Sequence, residues 1–295
     1  MQIIAKAPAK INLCLAIKGK RDDGYHEVDM IMQTVSLFDT VTVKRNFWGN
    51  EGIKILCNRD LCCKDEDNIA FKVSKSFFDY TKIKNPGILI KIQKKIPAFA
   101  GLAGGSSDGA ATILCLNEMF GTKLSEDEMR EIGASVGADI PFCIGGGTAR
   151  AKGTGTQIEK IKNIPDCGIV IVKPECKVST KKAYEMYDSS TIRCEKSIEN
   201  MIKLINEGDL FKISNNLFNN FESFIRIPEI EQAKSELVKN NPLGISMSGS
   251  GPSVYAVFES LYKAKKCAGV LKKLFKKVYT CVPISYGAKI FHKYN

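Results

Sequence analysis

A run of small residues between a predicted strand and a predicted helix constrains the fold of this chain more than any other feature. Residues 88–96 are apolar and β-branched, which favours a strand, and apolar residues fall at helical spacing from Ser107 onward. Between them lies a loop composed of Pro97, Ala98, Phe99, Ala100, Gly101, Leu102, Ala103, Gly104, Gly105, Ser106 and Ser107. Glycines let backbone N–H groups approach an anion, and the first helical turn adds unpaired donors and a positive dipole end. The loop therefore predicts an anion site, of the kind that holds phosphate, where the helix begins.

Other interpretations of this loop stay open on the local sequence. It is not a Walker A loop, since no lysine follows the glycines, and it is not G-x-G-x-x-G. Residues 105–109 match G-x-S-x-G, the nucleophile elbow of serine hydrolases, which needs a later histidine. The one histidine after this segment is His292, close to the end of the chain. A tight turn into which small residues merely fit is the remaining alternative.

Size and cysteine usage bound the class of protein. The 295 residues suffice for one large domain or two of ordinary size. No apolar run approaches the roughly 20 residues that span a bilayer, and the first residues lack an apolar signal-peptide core, so we expect a cytoplasmic protein that is not bound to a membrane. The cysteine count is eleven, odd and without metal-ligand spacing, and there are only two histidines, which argues against a disulfide framework or a zinc site.

The net charge of +11 raises the question of an anionic partner. Lysines are densest at residues 263–277, where interleaved apolar residues predict one amphipathic helix with a solvated basic face. We expect an ordinary soluble surface and no nucleic-acid partner. A nucleic-acid-binding patch is the alternative.

The pattern of elements predicts an α+β protein. The first third is strand-rich, residues 68–80 have helical spacing, and residues 125–128 form a capping box that opens another helix. The second half is predicted as strand 168–172, helices near 180–187, 198–206 and 229–239, two short strands around 249–251, the basic helix, and a last strand at 278–283. That order is ferredoxin-like. We place one domain at residues 1–158, with the phosphate loop, and a second at 159–295.

Three segments together resemble the GHMP kinase superfamily, which includes galactokinases, homoserine kinases and mevalonate kinases. The loop at residues 97–107 is similar to its second motif, residues 6–13 (Lys-Ala-Pro-Ala-Lys-Ile-Asn-Leu) to its first, and residues 247–253 (Met-Ser-Gly-Ser-Gly-Pro-Ser) to its third. The resemblance implies the two-domain GHMP kinase fold, with an N-terminal domain like ribosomal protein S5 domain 2 and a ferredoxin-like C-terminal domain. It also implies ATP and Mg²⁺ as cofactors.

The match narrows at residues 8–13, 21–26 (Arg-Asp-Asp-Gly-Tyr-His) and 137–142 (Gly-Ala-Asp-Ile-Pro-Phe). These resemble the members that phosphorylate the 2-hydroxyl of a cytidine diphosphate-linked methylerythritol, in the non-mevalonate isoprenoid precursor pathway. The implied partner is that small molecule, and we expect a monomer or homodimer. This sequence departs from the pattern at Ala103, where glycine is usual and which would require a backbone angle that tolerates Cβ. It also departs at Gly109, where alanine is usual and glycine could loosen the helix start.

The resemblance assigns chemistry to a lysine and an aspartate. Asp139 is expected to accept the proton of the acceptor hydroxyl, and Lys10 to keep Asp139 ionised and to stabilise the alkoxide. Asn12 shares a strand face with Lys10 and can bond the same hydroxyl. Because Asp139 precedes Pro141, we expect extended backbone there. A turn or N-cap aspartate and a solvent-facing strand lysine are the plain alternatives.

The remaining candidates concern the cytidine and the phosphates. We expect Tyr25 and Tyr184 to sandwich the base, His26 to bond its edge and Thr180 to hold a diphosphate or ribose oxygen, although Tyr184 could equally be a core residue. A glycine turn near the phosphates is expected at Ser248, Gly249, Ser250 and Gly251. Ser107 is the candidate metal contact. The competing functions are another GHMP small-molecule kinase, of the homoserine or mevalonate type, and a non-catalytic nucleotide- or RNA-binding module.

Overall fold

The computed structural model describes residues 1–45, 52–58, 65–190 and 196–294, which form two sheets with helices packed against them. The strands are β1 (Gln2–Lys20), β2 (His26–Arg45), β3 (Ile53–Cys57), β4 (Ile88–Gln93), β5 (Thr148–Gly153), β6 (Gln157–Lys160), β7 (Gly168–Val172), β8 (Phe218–Asn219), β9 (Gly244–Met247), β10 (Val254–Phe258), β11 (Val278–Cys281) and β12 (Lys289–Tyr294). The α-helices are α1 (Ile69–Thr81), α2 (Gly104–Phe120), α3 (Glu126–Ala134), α4 (Ile140–Gly145), α5 (Thr180–Ser189), α6 (Ile198–Glu207), α7 (Leu210–Asn215), α8 (Pro228–Val238) and α9 (Leu261–Leu271).

The first sheet is built on a long antiparallel pair, β1 and β2, and confirms the strand-rich first third. Its strand order is β12-β1-β2-β4-β3, and β5, β6 and β8 join beside this path. The pairing shifts register after Pro8 and again between Asn12 and Cys14. Such bulges bend a strand and re-aim its side chains. The segment of β1 between them carries Lys10 and Asn12.

Helix α2 packs on this sheet and against α1, and it places the predicted phosphate loop at its own N-terminus. The helix is buried along most of its length, so its position is fixed by packing. Gly109 lies where α2 meets α1, and a Cβ there would come within 2.8 Å of Ile69 Cγ2 and 3.3 Å of Val73 Cγ1. The glycine therefore permits close packing of the two helices.

The second sheet confirms the ferredoxin-like prediction. Its strands lie in the order β11-β7-β10-β9, and each neighbouring pair is antiparallel. The chain runs through β7, helices α5 to α8, β9, β10, α9 and β11. The two sheets do not divide the chain as simply as the predicted limits of 158 and 295. The first limit falls inside β6, and β12 returns to pair with β1, so residues 289–294 lie in the first sheet.

Several element limits differ from the prediction. The basic segment is not one helix: α9 ends at Leu271, and the chain turns through Lys272 and Lys273 towards β11. Leu274 is exposed, so the buried apolar stripe stops with the helix. The strand predicted at 88–96 ends at Gln93, and α2 begins at Gly104, one turn before Ser107. The capping box at Ser125 is confirmed.

The described cysteines form no disulfide with one another, and most of them are buried. None of the helices in the described ranges has both the length and the apolar character needed to cross a bilayer.

Candidate active site

The phosphate loop is held from both sides by backbone contacts. Lys10 N on β1 donates to Leu102 O at 3.1 Å, which ties the loop to the first sheet. On the other side the glycine turn of the second sheet approaches so closely that a Cβ on Gly101 would lie 2.1 Å from Ser248 O. Ser248 Oγ donates to Gly101 O at 2.9 Å. Glycine is required at position 101 because the two loops touch there.

Ala103 caps helix α2 in the left-handed conformation, with φ 54° and ψ 30°. An L-residue adopts this conformation only at a cost of about 1–2 kcal/mol, although it has room for the Cβ. The methyl side chain of Ala103 cannot cap this helix end. Its first N–H groups therefore stay available towards the loop, as an anion site requires.

An asparagine that the sequence did not single out positions the glycine turn. Asn219 Nδ2 donates to Met247 O at 2.7 Å and to Gly249 O at 2.8 Å. Asn219 lies on β8, a strand of only two residues that pairs with β1. A two-residue strand has no periodic pattern, so no sequence signal could have found it.

A buried charge cluster lies beneath the phosphate loop. Lys94 Nζ donates to Asp108 Oδ2 at 2.6 Å and also to Asp39 Oδ2. Asp39 Oδ1 accepts from the backbone N–H groups of Lys95 at 2.5 Å and Ile96 at 2.8 Å. Burial raises the pKa of Asp108 to about 8, against the pull of Lys94, and the neighbouring charge of Asp39 adds to the rise. The cluster joins β2, the end of β4 and helix α2, so it fixes both ends of the loop.

Lys10, Asn12 and Asp139 lie close together. Lys10 Nζ donates to Asn12 Oδ1 at 2.6 Å and lies 3.9 Å from Asp139 Oδ2. The lysine side chain is 5% exposed and the Asp139 side chain 32% exposed. Asn12 Oδ1 also accepts from Gly249 N at 2.9 Å, so the glycine turn reaches this group. The solvent-facing alternative for Lys10 is thereby excluded.

The backbone at Asp139 differs from the prediction. It is helical, with φ −81° and ψ −12°, and not extended, because Pro141 occupies the first turn of α4. Proline is tolerated there since its missing N–H needs no helical partner. Asp139 is in the N-cap position, yet its side chain makes no capping hydrogen bond. The carboxylate therefore remains available to the cavity beside it.

Two adjoining cavities contain most of the predicted site residues. The lysine cavity, of about 610 Å³, is lined among others by Lys10, Asn12, Tyr25, His26, Gly101, Ala103, Ser106, Asp139, Thr180, Tyr184, Gly249 and Ser250. The loop cavity, of about 530 Å³, is lined by residues 97–106 together with Asp67, Asn68, Ile69, Lys94, Asp108 and Thr180. Gly101, Ala103, Ser106 and Thr180 border both. A ligand in the loop cavity would therefore meet one in the lysine cavity at Ser106.

The aromatic side chains of the lysine cavity form a stacked group. His26 stacks on Tyr184, with ring centroids 4.3 Å apart and 19° between the planes. Phe221 meets Tyr184 edge-on. The His26 ring thus covers one face of Tyr184. Tyr25 is 67% exposed at the mouth of the lysine cavity.

The hydroxyl groups of Ser107 and Thr180 lie in different environments. Ser107 is fully buried, borders neither cavity, and its Oγ is without a hydrogen-bond partner in the described part of the chain. Ser106, by contrast, borders both cavities. His292 lies on β12 beside Ile4, so the serine hydrolase interpretation lacks its base. The Thr180 hydroxyl hydrogen-bonds Ser250 Oγ at 2.9 Å, which links α5 to the glycine turn.

Comparison with known proteins agrees with this geometry. Residues 68–147 match the GHMP kinases N terminal domain and residues 194–277 the GHMP kinases C terminal domain. A 4-diphosphocytidyl-2-C-methyl-D-erythritol kinase of Clostridium beijerinckii is 40% identical over 276 residues, covering 93% of this chain and 97% of that protein. One of Thermoanaerobacter pseudethanolicus is 38% identical over 292 residues, covering 98% and 99%. A crystal structure of 4-(cytidine 5'-diphospho)-2C-methyl-D-erythritol kinase superposes with a TM-score of 0.79 at 24% identity, covering 96% of this chain and 99% of that one. The phosphate loop, the glycine turn and the paired Lys10 and Asp139 thus lie in a chain that belongs to the GHMP kinase family.

Proposed function

We propose that this chain is an ATP-dependent kinase that phosphorylates the 2-hydroxyl of 4-diphosphocytidyl-2-C-methyl-D-erythritol. The observation that carries the proposal is the placement of Lys10 and Asp139 in a cavity that adjoins the phosphate loop across Ser106. Phosphoryl transfer needs positioning and charge neutralisation more than covalent chemistry by the protein. The relatives that share about two fifths of the sequence along nearly the whole chain act on this acceptor by name.

Asp139 accepts the proton of the acceptor hydroxyl as the oxygen attacks the γ-phosphorus. Its carboxylate is partly exposed to the cavity and makes no capping bond that would compete. Lys10, almost completely buried, provides a positive charge next to the developing alkoxide. Asn12 fixes the lysine ammonium and connects it to the glycine turn through Gly249 N.

ATP occupies the loop cavity with its phosphates against the start of α2. The uncapped helix end and the loop backbone bind the anionic oxygens. Of the candidate oxygens, the Ser106 hydroxyl borders both cavities and the Asp139 carboxylate borders the lysine cavity, whereas Ser107 borders neither. These two oxygens suit Mg²⁺, which keeps several waters and needs few protein ligands. The ion neutralises phosphate charge when bound.

The cytidine diphosphate occupies the outer part of the lysine cavity. Tyr25 lies at its mouth, and the stacked pair of His26 and Tyr184 forms an aromatic wall within it. Thr180 stands at the border of both cavities, where a diphosphate oxygen of the acceptor would pass. We place the reaction in the cytoplasm, where ATP is available and free thiols stay reduced.

An acceptor panel tests the proposal. Release of ADP from Mg-ATP is measured with 4-diphosphocytidyl-2-C-methyl-D-erythritol, homoserine, mevalonate and galactose, each against a reaction without acceptor. Turnover with the cytidine compound alone is expected. Turnover with another acceptor would refute the assigned substrate but not the role of the phosphate loop. A folded protein that binds ATP and releases no ADP with any of the four acceptors would refute the kinase assignment.

A further inference from the structure

His26 is held inside the lysine cavity by an aspartate that no motif contains. The ring nitrogen Nε2 lies 2.7 Å from Asp188 Oδ1, at the end of helix α5. The other carboxylate oxygen, Oδ2, accepts from Lys20 Nζ at 3.1 Å. The His26 side chain is nearly buried and the Asp188 side chain is 28% exposed. Both line the lysine cavity, together with Lys20.

Two aromatic neighbours also fix the orientation of the His26 ring. Tyr184 stacks on it, and Tyr187 meets it edge-on, with ring centroids 6.2 Å apart and planes at 85°. The Tyr187 hydroxyl donates to Ile17 O at 2.8 Å, so this second ring is itself anchored to β1. Because two aromatic rings and a carboxylate contact it, the His26 ring cannot freely rotate by 180° to interchange Nδ1 and Nε2.

The carboxylate determines which ring nitrogen carries the proton. The hydrogen bond from His26 is the main reason that the pKa of Asp188 is lowered, so Asp188 is ionised and can only accept. Nε2 must therefore be the protonated nitrogen of the neutral ring. Nδ1 then carries a lone pair and, within the described ranges, it has no hydrogen-bond partner. His26 lines the lysine cavity, so Nδ1 is the acceptor that this ring can offer to a ligand there, beside the Tyr184 ring.

We infer that Asp188 is a positioning residue that makes the cavity select cytosine over uracil through His26. The inference rests on the proposed function, since it specifies how that site recognises its base. The 4-amino group of cytosine can donate a hydrogen bond to the lone pair of His26 Nδ1. The 4-carbonyl oxygen of uracil is itself an acceptor, so its lone pairs would face that of Nδ1 and repel it. With uracil bound, His26 Nδ1 would lack a hydrogen-bond donor. That loss corresponds to an affinity for the cytosine nucleotide that is roughly ten- to hundredfold higher than for the uracil nucleotide. Lys20 supports Asp188 and does not touch the ring.

Binding titrations with cytidine 5'-diphosphate and uridine 5'-diphosphate test the inference without turnover. The wild type is expected to bind the cytidine nucleotide at least about tenfold more tightly. Asp188→Ala frees the ring and brings the ratio of the two affinities close to one. Asp188→Asn retains an oxygen acceptor and recovers most of the preference. Glu207→Ala, the matched control, removes a carboxylate that pairs with Lys212 at 3.3 Å outside both cavities, and it keeps the ratio.

Nitrogen-15 NMR of the histidines reports which ring nitrogen of His26 carries the proton. This pattern would not change in Asp188→Ala if Asp188 had only a structural role. The chain has only two histidines, so His292→Gln assigns both sets of signals. His26 should show the Nε2-protonated form in the wild type and in Asp188→Asn, and a mixture in Asp188→Ala. An unchanged nucleotide ratio or an unchanged His26 signal in Asp188→Ala would overturn the inference, as would a wild type without preference. A wild type that prefers the cytidine nucleotide but transfers no phosphate would instead refute the proposed function alone.

Discussion

Replacing Lys94 by methionine should destabilise the protein severely, because one buried cation serves two buried carboxyl groups. Lys94, Asp39 and Asp108 are all nearly inaccessible to solvent. Removing one partner of a buried ion pair typically costs about 3–5 kcal/mol, since a charge is left without compensation. Here Asp39 keeps its two backbone N–H donors, and Asp108 already holds a proton near neutral pH because its pKa is about 8. We therefore expect a loss of about 3–4 kcal/mol, in the lower part of that range.

The free energy of unfolding in urea measures this effect. Lys263→Met is the matched control: Lys263 pairs with Glu259 on the exposed face at the start of α9, where such a pair is worth less than about 1 kcal/mol. Asp108→Asn should cost less in the Lys94→Met background than in the wild type, because its partner is already gone. If Lys94→Met lost no more stability than Lys263→Met, the cluster would not be an ion pair and the reasoning would fail.

Further predictions concern the catalytic carboxylate, the helix contact and the buried acid. Asp139→Asn should lower kcat by roughly 10²–10⁴-fold with little change in ATP affinity, and near-normal turnover in a steady-state assay would remove Asp139 as the base. Gly109→Ala should destabilise by about 1–3 kcal/mol because its Cβ would overlap Ile69, whereas Gly269→Ala, a helix position with open space, should stabilise by up to about 1 kcal/mol; equal urea midpoints would contradict the packing. Because the pKa of Asp108 is raised to about 8, the folded protein keeps a proton that the unfolded chain releases. Unfolding measured from pH 4 to pH 8 should therefore show the wild type losing stability relative to Asp108→Asn as the pH rises, and a constant difference would refute the shift.

The parts of the site that sequence reasoning found are those whose chemistry is local. The glycines of the loop and the helical spacing after it were enough to predict an anion site. The resemblance supplied Lys10 and Asp139, which lie 3.9 Å apart in the folded chain. The ferredoxin-like half followed from the order of its elements. The loop and the motifs are short segments of chain, whereas the ferredoxin-like order draws on the whole second half of the sequence.

The parts that were missed depend on pairs far apart in the chain. Asp188 meets His26 across 162 residues, and Asn219 reaches the glycine turn from a two-residue strand. Lys94 is one of many lysines in the sequence, and only the fold shows that it is buried between two aspartates. The Tyr25–Tyr184 sandwich was expected from residue types and from the resemblance, and neither indicates that the His26 ring stacks on Tyr184.

The position of the new phosphate tests the central claim most directly. In the proposed acceptor the 2-hydroxyl is on a carbon that carries a methyl group and no hydrogen. A phosphate monoester formed there has no proton on the ester carbon, so its ³¹P signal should be a singlet. We predict that the wild type, incubated with Mg-ATP and 4-diphosphocytidyl-2-C-methyl-D-erythritol, forms one new monoester with a singlet, and that Asp139→Asn forms it much more slowly. A monoester signal split by neighbouring protons, or no new monoester at all, would contradict the account.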